Sequence, residues 1–213
     1  MKALRSSLPT ALAVGAPLAL AVLEVFHPHP GDLLALDVHL WLVVHYAQIL
    51  LFPLSAVAVA LLVRGRDDIA AAICRIAMFV VAASDVAFDT AACVLTGILV
   101  DSAQRSGGSD AWRPAIDAVW SHPIVGGSPQ GPPPFLAVFG SVALSVGAIA
   151  AAVSLKRAGR TWPPVVLLAI SSFGIAVFKT HAWPGGPATF GGIALAAAWL
   201  ESQTGRNGHG YAI

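Results

Sequence analysis

Charged residues are scarce in this chain. They make up 11% of its 213 residues, and the net charge is only +1, whereas soluble domains carry about 25% charged residues. So few charges cannot cover a water-exposed surface, and the near-neutral balance gives no basic patch for nucleic acid. Hydrophobic residues instead reach 57%, with a mean hydropathy of +0.77. The composition therefore predicts an integral membrane protein, with the lipid bilayer as its main surroundings.

Cysteine is also rare, with Cys74 and Cys93 as the two examples. Both fall in one predicted helix, about 28 Å apart at the rise of an α-helix, so they cannot form a disulfide with each other. Neither belongs to a CxxC pair, and we interpret both as small buried apolar residues. The sequence also lacks a GxSxG elbow, a Walker loop and a dinucleotide fingerprint, which leaves no motif-based enzyme class.

Long apolar segments dominate what is present. A helix needs about 20 apolar residues to cross a bilayer, and strand-like alternation over ten-residue segments is missing. We predict an all-α, polytopic bundle of six transmembrane helices in one domain, residues 1–201, followed by a short flexible cytoplasmic tail, residues 202–213. The predicted spans are Leu8–Phe26, His39–Val63, Ile69–Val100, Phe135–Leu155, Pro164–Phe178 and Ala188–Leu200.

Two parts of this topology have alternatives. The last two spans are short, and the breaker Trp183–Pro187 between them would also suit a re-entrant pair or a kinked hairpin. The first span could be a signal peptide cut after Ala21, because Lys2 and Arg5 precede it. We favour a retained helix, since the apolar run continues through Phe26.

Basic residues alternate between the predicted connections and set the orientation. They gather before the first span, between the second and third, between the fourth and fifth, and after the sixth: Lys2, Arg5, Arg64, Arg66, Lys156, Arg157, Arg160 and Arg206. The positive-inside rule then places both termini in the cytoplasm. An Ala-rich chain that prefers Arg to Lys also suggests a bacterial source, and hence the bacterial inner membrane. Between the third and fourth spans, Ala111–Trp120 has an apolar face and predicts an interfacial amphipathic helix.

Ionisable residues inside the predicted spans point to a functional pocket, because such residues are costly in a membrane. Asp85 and Asp89 share one helix face through their i, i+4 spacing, and we expect Asp89 to reach His45 on the neighbouring span. The predicted ligand or proton pocket opens toward the outer surface. It consists of Glu24, His45, Gln48, Asp85 and Asp89.

The same region supplies ligands for a divalent transition metal. Imidazole and carboxylate groups suit Zn²⁺, Cu²⁺ and Fe²⁺, although no HExxH or related pair occurs. The candidate ligands are His27, His29, His45, Asp89 and His181. A structural polar network and a metal-free proton relay are the alternatives. Haem fits poorly, since only His45 lies well inside a span.

These features predict a protein that binds or moves a small solute, a proton or a metal ion. Two other functions stay open at this stage. One is a membrane-embedded metalloenzyme or hydrolase that uses the same pocket. The other is an accessory subunit of a larger membrane complex, in which the polar residues only fix helix packing. A homo-oligomer is compatible with each of them, and the sequence assigns no catalytic residue.

Overall fold

The computed structural model describes residues 2–29, 31–107, 109–128 and 133–207, and every regular element in this part of the chain is a helix. A 3₁₀ turn, Leu33–Ala35, lies between the first two helices, and a π-helical segment, Asp89–Val94, joins the third to the fourth. The α-helices are α1 Lys2–Val25, α2 Val38–Leu62, α3 Ile69–Phe88, α4 Leu95–Ser106, α5 Ser109–Trp120, α6 Phe135–Arg157, α7 Trp162–Ser171, α8 Gly174–Phe178 and α9 Gly185–Asn207.

Four helical stretches are long and apolar enough to cross a membrane. They are Leu8–Val25 of α1, α2, the continuous helix Ile69–Ser106 and α6. Many large apolar side chains on them point outward, and Leu50, Ile69 and Phe79 are each at least 66% exposed. Such surfaces suit lipid and would be a liability in water. The prediction of an all-helical protein with several membrane-spanning helices is therefore confirmed for these four stretches.

The helix boundaries differ from the predicted spans in three places. The third helix continues past Val100 to Ser106, and the fifth region is broken at Ser172 and Phe173 into α7 and α8. The last helix begins at Gly185, inside the segment expected to be a breaker. Pro187 is tolerated there because the first backbone N–H groups of a helix have no partner within it. The region predicted as a tail is helical through Asn207, and residues 208–213 lie outside the described residues.

Small side chains allow the helices to pack closely. α3 packs against α6, and α1 packs against both α2 and α9. A β-carbon on Gly147 of α6 would overlap Cε of Met78 on α3, and the buried core there includes Cys74, Ala148 and Ala151. Close backbone approach replaces the hydrophobic driving force that is missing between helices in lipid.

Helix α5 covers one end of the bundle. Its Ile116 is buried, and Trp112 and Trp120 pack against a second apolar core that includes Trp41 and Cys93. The predicted amphipathic helix is therefore present, and its apolar face contacts the protein itself. Arg113 of α5 also lies 3.4 Å from Asp32 in the segment between α1 and α2.

Candidate functional site

Polar side chains from several segments meet where α1 ends and α2 begins, beneath the cover made by α5. The structure brings together four of the predicted pocket residues, and each is fully or almost fully buried: Glu24, His45, Gln48 and Asp89. The fifth, Asp85, lies one helical turn before Asp89 and is partly buried. Burial of so many polar groups in one place requires that they satisfy one another or bind something.

Glu24 is the centre of one group of contacts. Its Oε1 accepts a hydrogen bond from Nε2 of Gln48 at 2.7 Å. Its Oε2 lies 3.3 Å from Nδ1 of His181, which forms an ion pair across the bundle when the imidazole is protonated. Glu24 is on α1, Gln48 on α2, and His181 in the connection between α8 and α9. Three distant parts of the chain are therefore held together by one carboxylate.

The connection that carries His181 depends on close backbone packing. Lys179 ends α8 with a φ of 56°, and the chain then turns toward α9. A β-carbon on Gly185 would overlap the carbonyl oxygen of Thr180, and one on Gly186 would overlap that of His181. Glycine at both positions lets the first turn of α9 contact this connection and seat the imidazole beside Glu24.

The electrostatic surroundings of His181 favour its charged form. Burial would by itself lower the pKa of His181, but the adjacent Glu24 carboxylate, with contributions from Asp89 and Asp85, raises it to about 9. His181 is accordingly a cation at neutral pH in the unliganded protein, and it must release a proton to solvent before it can bind a metal ion.

His27 lies just after α1 and contacts both neighbouring histidines. Its ring centroid is 4.8 Å from that of His181 and 4.9 Å from that of His45, both edge-to-face. Burial, together with His181, His45 and His29, lowers the pKa of His27 to about 2. His27 is therefore a neutral imidazole near pH 7, which is the form that binds metal ions.

His27 and His45 share one hydrogen-bonding arrangement. Nδ1 of His27 lies 2.9 Å from the carbonyl oxygen of Pro28, and Nδ1 of His45 lies 2.7 Å from that of Trp41. A carbonyl oxygen only accepts hydrogen bonds, so each Nδ1 carries a proton in the neutral ring. Each Nε2 then has a free lone pair, and the two Nε2 atoms are 3.2 Å apart.

The π-helical segment places Asp89 and Cys93 beside His45. The segment starts at Asp89, and its carbonyl at Cys93 accepts a 2.7 Å hydrogen bond from Nε1 of Trp41. Among the residues described, no N–H or O–H donor bonds to either carboxylate oxygen of Asp89, and the thiol of Cys93 is a weak donor beside it. Short π-helical segments inside α-helices occur frequently at functional sites.

Two groups of three metal-ligand side chains result. We call Glu24, His27 and His181 the first triad, and His45, Asp89 and Cys93 the second triad; within each, the ligand atoms lie within 4.8 Å of one another. The contact between His27 and His45 joins the two triads. The helices and turns described above bring the groups of each triad together.

Asp85 borders a cavity beside the first triad. The cavity has a volume of about 40 Å³, and its walls include Phe52, Gly140, Leu144 and His181. That volume holds at least one water molecule. Its polar lining residues are Asp85, Ser141 and His181, so Asp85 and His181 face the same small space.

The structure also shows what sequence reasoning missed. His29 is exposed and belongs to neither triad, although its ring centroid is 5.7 Å from that of His27. Cys93, interpreted from the sequence as a small buried apolar residue, is buried as expected and also lies beside His45 and Asp89. Its spacing of four residues from Asp89 was the available signal, since i, i+4 residues share a helix face.

Comparisons with protein-family models, with curated proteins and with solved structures find no match to this chain.

Proposed function

We propose that this is a six-span protein of the bacterial inner membrane that binds a divalent transition metal ion at the first triad, near the outer surface. The observation that carries the proposal is the convergence of Glu24, His27 and His181 from three separate segments, with their ligand atoms within 4.8 Å of one another. Two imidazoles and one carboxylate form a ligand set that Zn²⁺ and Fe²⁺ both use in proteins.

The two Nε2 atoms of His27 and His45 face each other, and this arrangement favours a positive charge between or beside them. Two lone pairs 3.2 Å apart repel each other unless a proton or a metal ion lies between or beside them. A metal ion bound to Nε2 of His27 in the first triad would engage one of these two lone pairs and relieve the repulsion.

The distribution of basic residues supports the orientation. Arg64 and Arg66 follow α2, and Lys156 and Arg157 end α6, all at the opposite end of the bundle from the first triad. Under the positive-inside rule that end faces the cytoplasm, so the first triad faces outward. A metal ion would then reach the site from outside the cytoplasm, through the partly buried His27 and His181.

Metal analysis of the purified full-length protein tests the proposal. After chelation and reloading with Zn²⁺, we expect tight binding that Glu24→Gln or His181→Gln weakens at least about tenfold, as loss of a ligand should. His39→Gln is the matched control, because His39 is exposed on α2 and its loss should leave binding unchanged. Equal zinc binding by all four proteins would overturn the first triad as the site.

A second candidate function, a membrane-embedded metalloenzyme, is favoured by the cavity that Asp85 and His181 share. Catalytic zinc sites keep one position open for water, and a carboxylate beside that water can act as a general base. In this case Asp85→Asn should keep zinc bound but abolish zinc-dependent hydrolysis of activated ester or phosphate probes. Absence of zinc-dependent hydrolysis in the wild type would leave metal binding as the sole function.

A further inference from the structure

The second triad has features that a structural polar network does not explain. Resting on the proposed function, we infer that His45, Asp89 and Cys93 form a second metal site that takes a thiolate-binding divalent ion such as Zn²⁺. The protein would then hold two ions side by side, one in each triad, with His27 and His45 in contact between them.

Asp89 is the first of these features. Asp89 is 1% exposed, and no N–H or O–H donor in the described part of the chain bonds to either of its carboxylate oxygens. A carboxylate in such a place is tolerated only if a proton, a cation or a cavity compensates for the lost hydration. Donor atoms of His45 and Cys93 lie within 4.8 Å of it, and the Cys93 thiol beside it is only a weak hydrogen-bond donor.

Trp41 fixes the other two ligands. Its carbonyl oxygen faces Nδ1 of His45, which leaves Nε2 as the nitrogen with a free lone pair. Its indole Nε1 donates to the carbonyl oxygen of Cys93, which holds that turn of the π-helical segment in place. One buried aromatic residue thus positions two of the three ligands, in the way that outer hydrogen bonds orient ligands in metal sites.

The chemistry of the donors narrows the choice of ion. The second triad offers one nitrogen, one oxygen and one sulfur, and a thiolate ligand selects for Zn²⁺ and other soft ions over Mg²⁺ or Ca²⁺. Binding exchanges the thiol S–H bond of Cys93 for a metal–sulfur bond and releases that proton to solvent. No oxidation or reduction takes place, so the step needs no further reactant.

Cobalt substitution tests this inference, because Co²⁺ bound to a thiolate absorbs strongly in the near ultraviolet and Co²⁺ bound to nitrogen and oxygen alone does not. We expect the wild-type protein to bind two equivalents of Co²⁺ and to show the thiolate band. Cys93→Ser should bind one equivalent without the band. Cys74→Ser, which changes the other buried cysteine, should behave as the wild type.

Asp89→Asn is a second test of the site, which is needed if Cys93→Ser does not fold. It is nearly isosteric, and it should keep the fold and the first-triad ion while lowering second-site affinity at least about tenfold. His181→Gln should lose the first ion and keep the thiolate band.

The outcomes separate this inference from the proposed function. One equivalent without a thiolate band, unchanged by Cys93→Ser and Asp89→Asn, would overturn the second site and leave the first triad standing. One equivalent with the band, abolished by Cys93→Ser and unaffected by His181→Gln, would support the second site and overturn the first triad. Absence of any bound cobalt would overturn both.

Discussion

Gly186 of α9 lies directly against Glu24 of α1, so that a β-carbon on Gly186 would lie 2.7 Å from Cγ of Glu24 and would overlap the carbonyl oxygen of His181. Glu24 and His181, two members of the first triad, are therefore packed against the same glycine. The close approach of α1 and α9 at this point sets the distance between the Glu24 carboxylate and the His181 imidazole, which is 3.3 Å. The packing of α1 against α9 and the geometry of the first triad therefore both depend on Gly186.

Gly186→Ala should therefore damage both stability and metal binding. Overpacking of a tight interface costs about 1–3 kcal/mol, and we expect a lower unfolding temperature in detergent together with weaker zinc binding. Gly191→Ala, in the same helix, is the matched control, because its nearest neighbour would be Cβ of Ala21 at 3.8 Å. That control should be neutral or slightly stabilising, since Ala is a better helix former than Gly. Equal behaviour of the two variants would contradict this account.

Trp41→Phe should loosen the second triad without removing any of its ligands. The variant keeps an aromatic ring but loses the hydrogen bond from Nε1 to the carbonyl oxygen of Cys93. A buried acceptor that loses its partner costs about 1–3 kcal/mol, and unfolding measurements should show a loss of that size. When cobalt is limiting, the absorbance of the cobalt–thiolate band should be lower in this variant than in the wild type. Trp199→Phe, at an exposed position of α9, should change neither property.

Asp89→Asn should make the metal-free protein as stable as the wild type or more stable. The substitution removes a buried carboxylate that no N–H or O–H donor in the described residues satisfies, and a charged group in the middle of a membrane costs at least about 2.5 kcal/mol. The stabilisation that added zinc gives should shrink at the same time, because one ligand is lost. Thermal unfolding with and without zinc measures both effects, with Asp110→Asn as an exposed control. A large loss of stability in the metal-free variant would show that Asp89 has a structural partner.

Much of the fold could be predicted because hydropathy reports directly on burial in lipid. The positions of α1, α2, α3 and α6 follow from apolar runs of membrane-spanning length, and α5 follows from its amphipathic face. The prediction was less accurate at α9, where the run Gly185–Pro187 forms the first turn of a helix instead of breaking it. Tertiary packing determines the structure here, because Gly185 and Gly186 allow α9 to pack closely against the connection that carries His181.

The site was predictable in its ionisable members and not in its geometry. The ionisable members could be identified because such groups are rare within and beside apolar segments. They are Glu24, His27, His45, Asp89 and His181. The division into two triads depends on the π-helical segment and on Trp41, and neither has a sequence signal of its own. The role of Cys93 depends on both of these features, since buried cysteines are common and usually inert.

The membrane topology can be tested with single cysteines, because both native cysteines are buried and should resist labelling. Asp110, on α5, has a side chain that is 93% exposed, and Asp67 is exposed in the connection between α2 and α3. In intact cells, a membrane-impermeant maleimide should label Asp110→Cys, and it should label Asp67→Cys only after permeabilisation. The opposite pattern would reverse the orientation and would place the first triad on the cytoplasmic side.

Lys179→Cys then decides between six spans and a re-entrant pair. Lys179 is exposed where α8 ends, and it faces the outside only if the α7–α8 segment crosses the whole membrane. We expect labelling of Lys179→Cys in intact cells, because His181, two residues later, contacts Glu24 at the end of α1 that we propose to face outward. The depth of Glu24 therefore sets the depth of this connection. A cytoplasmic reporter fused after Ile213 should at the same time be active, since α9 returns the chain to the side where α2 ends. Lack of labelling before permeabilisation, with Asp110→Cys labelled in parallel, would rule out the six-span arrangement.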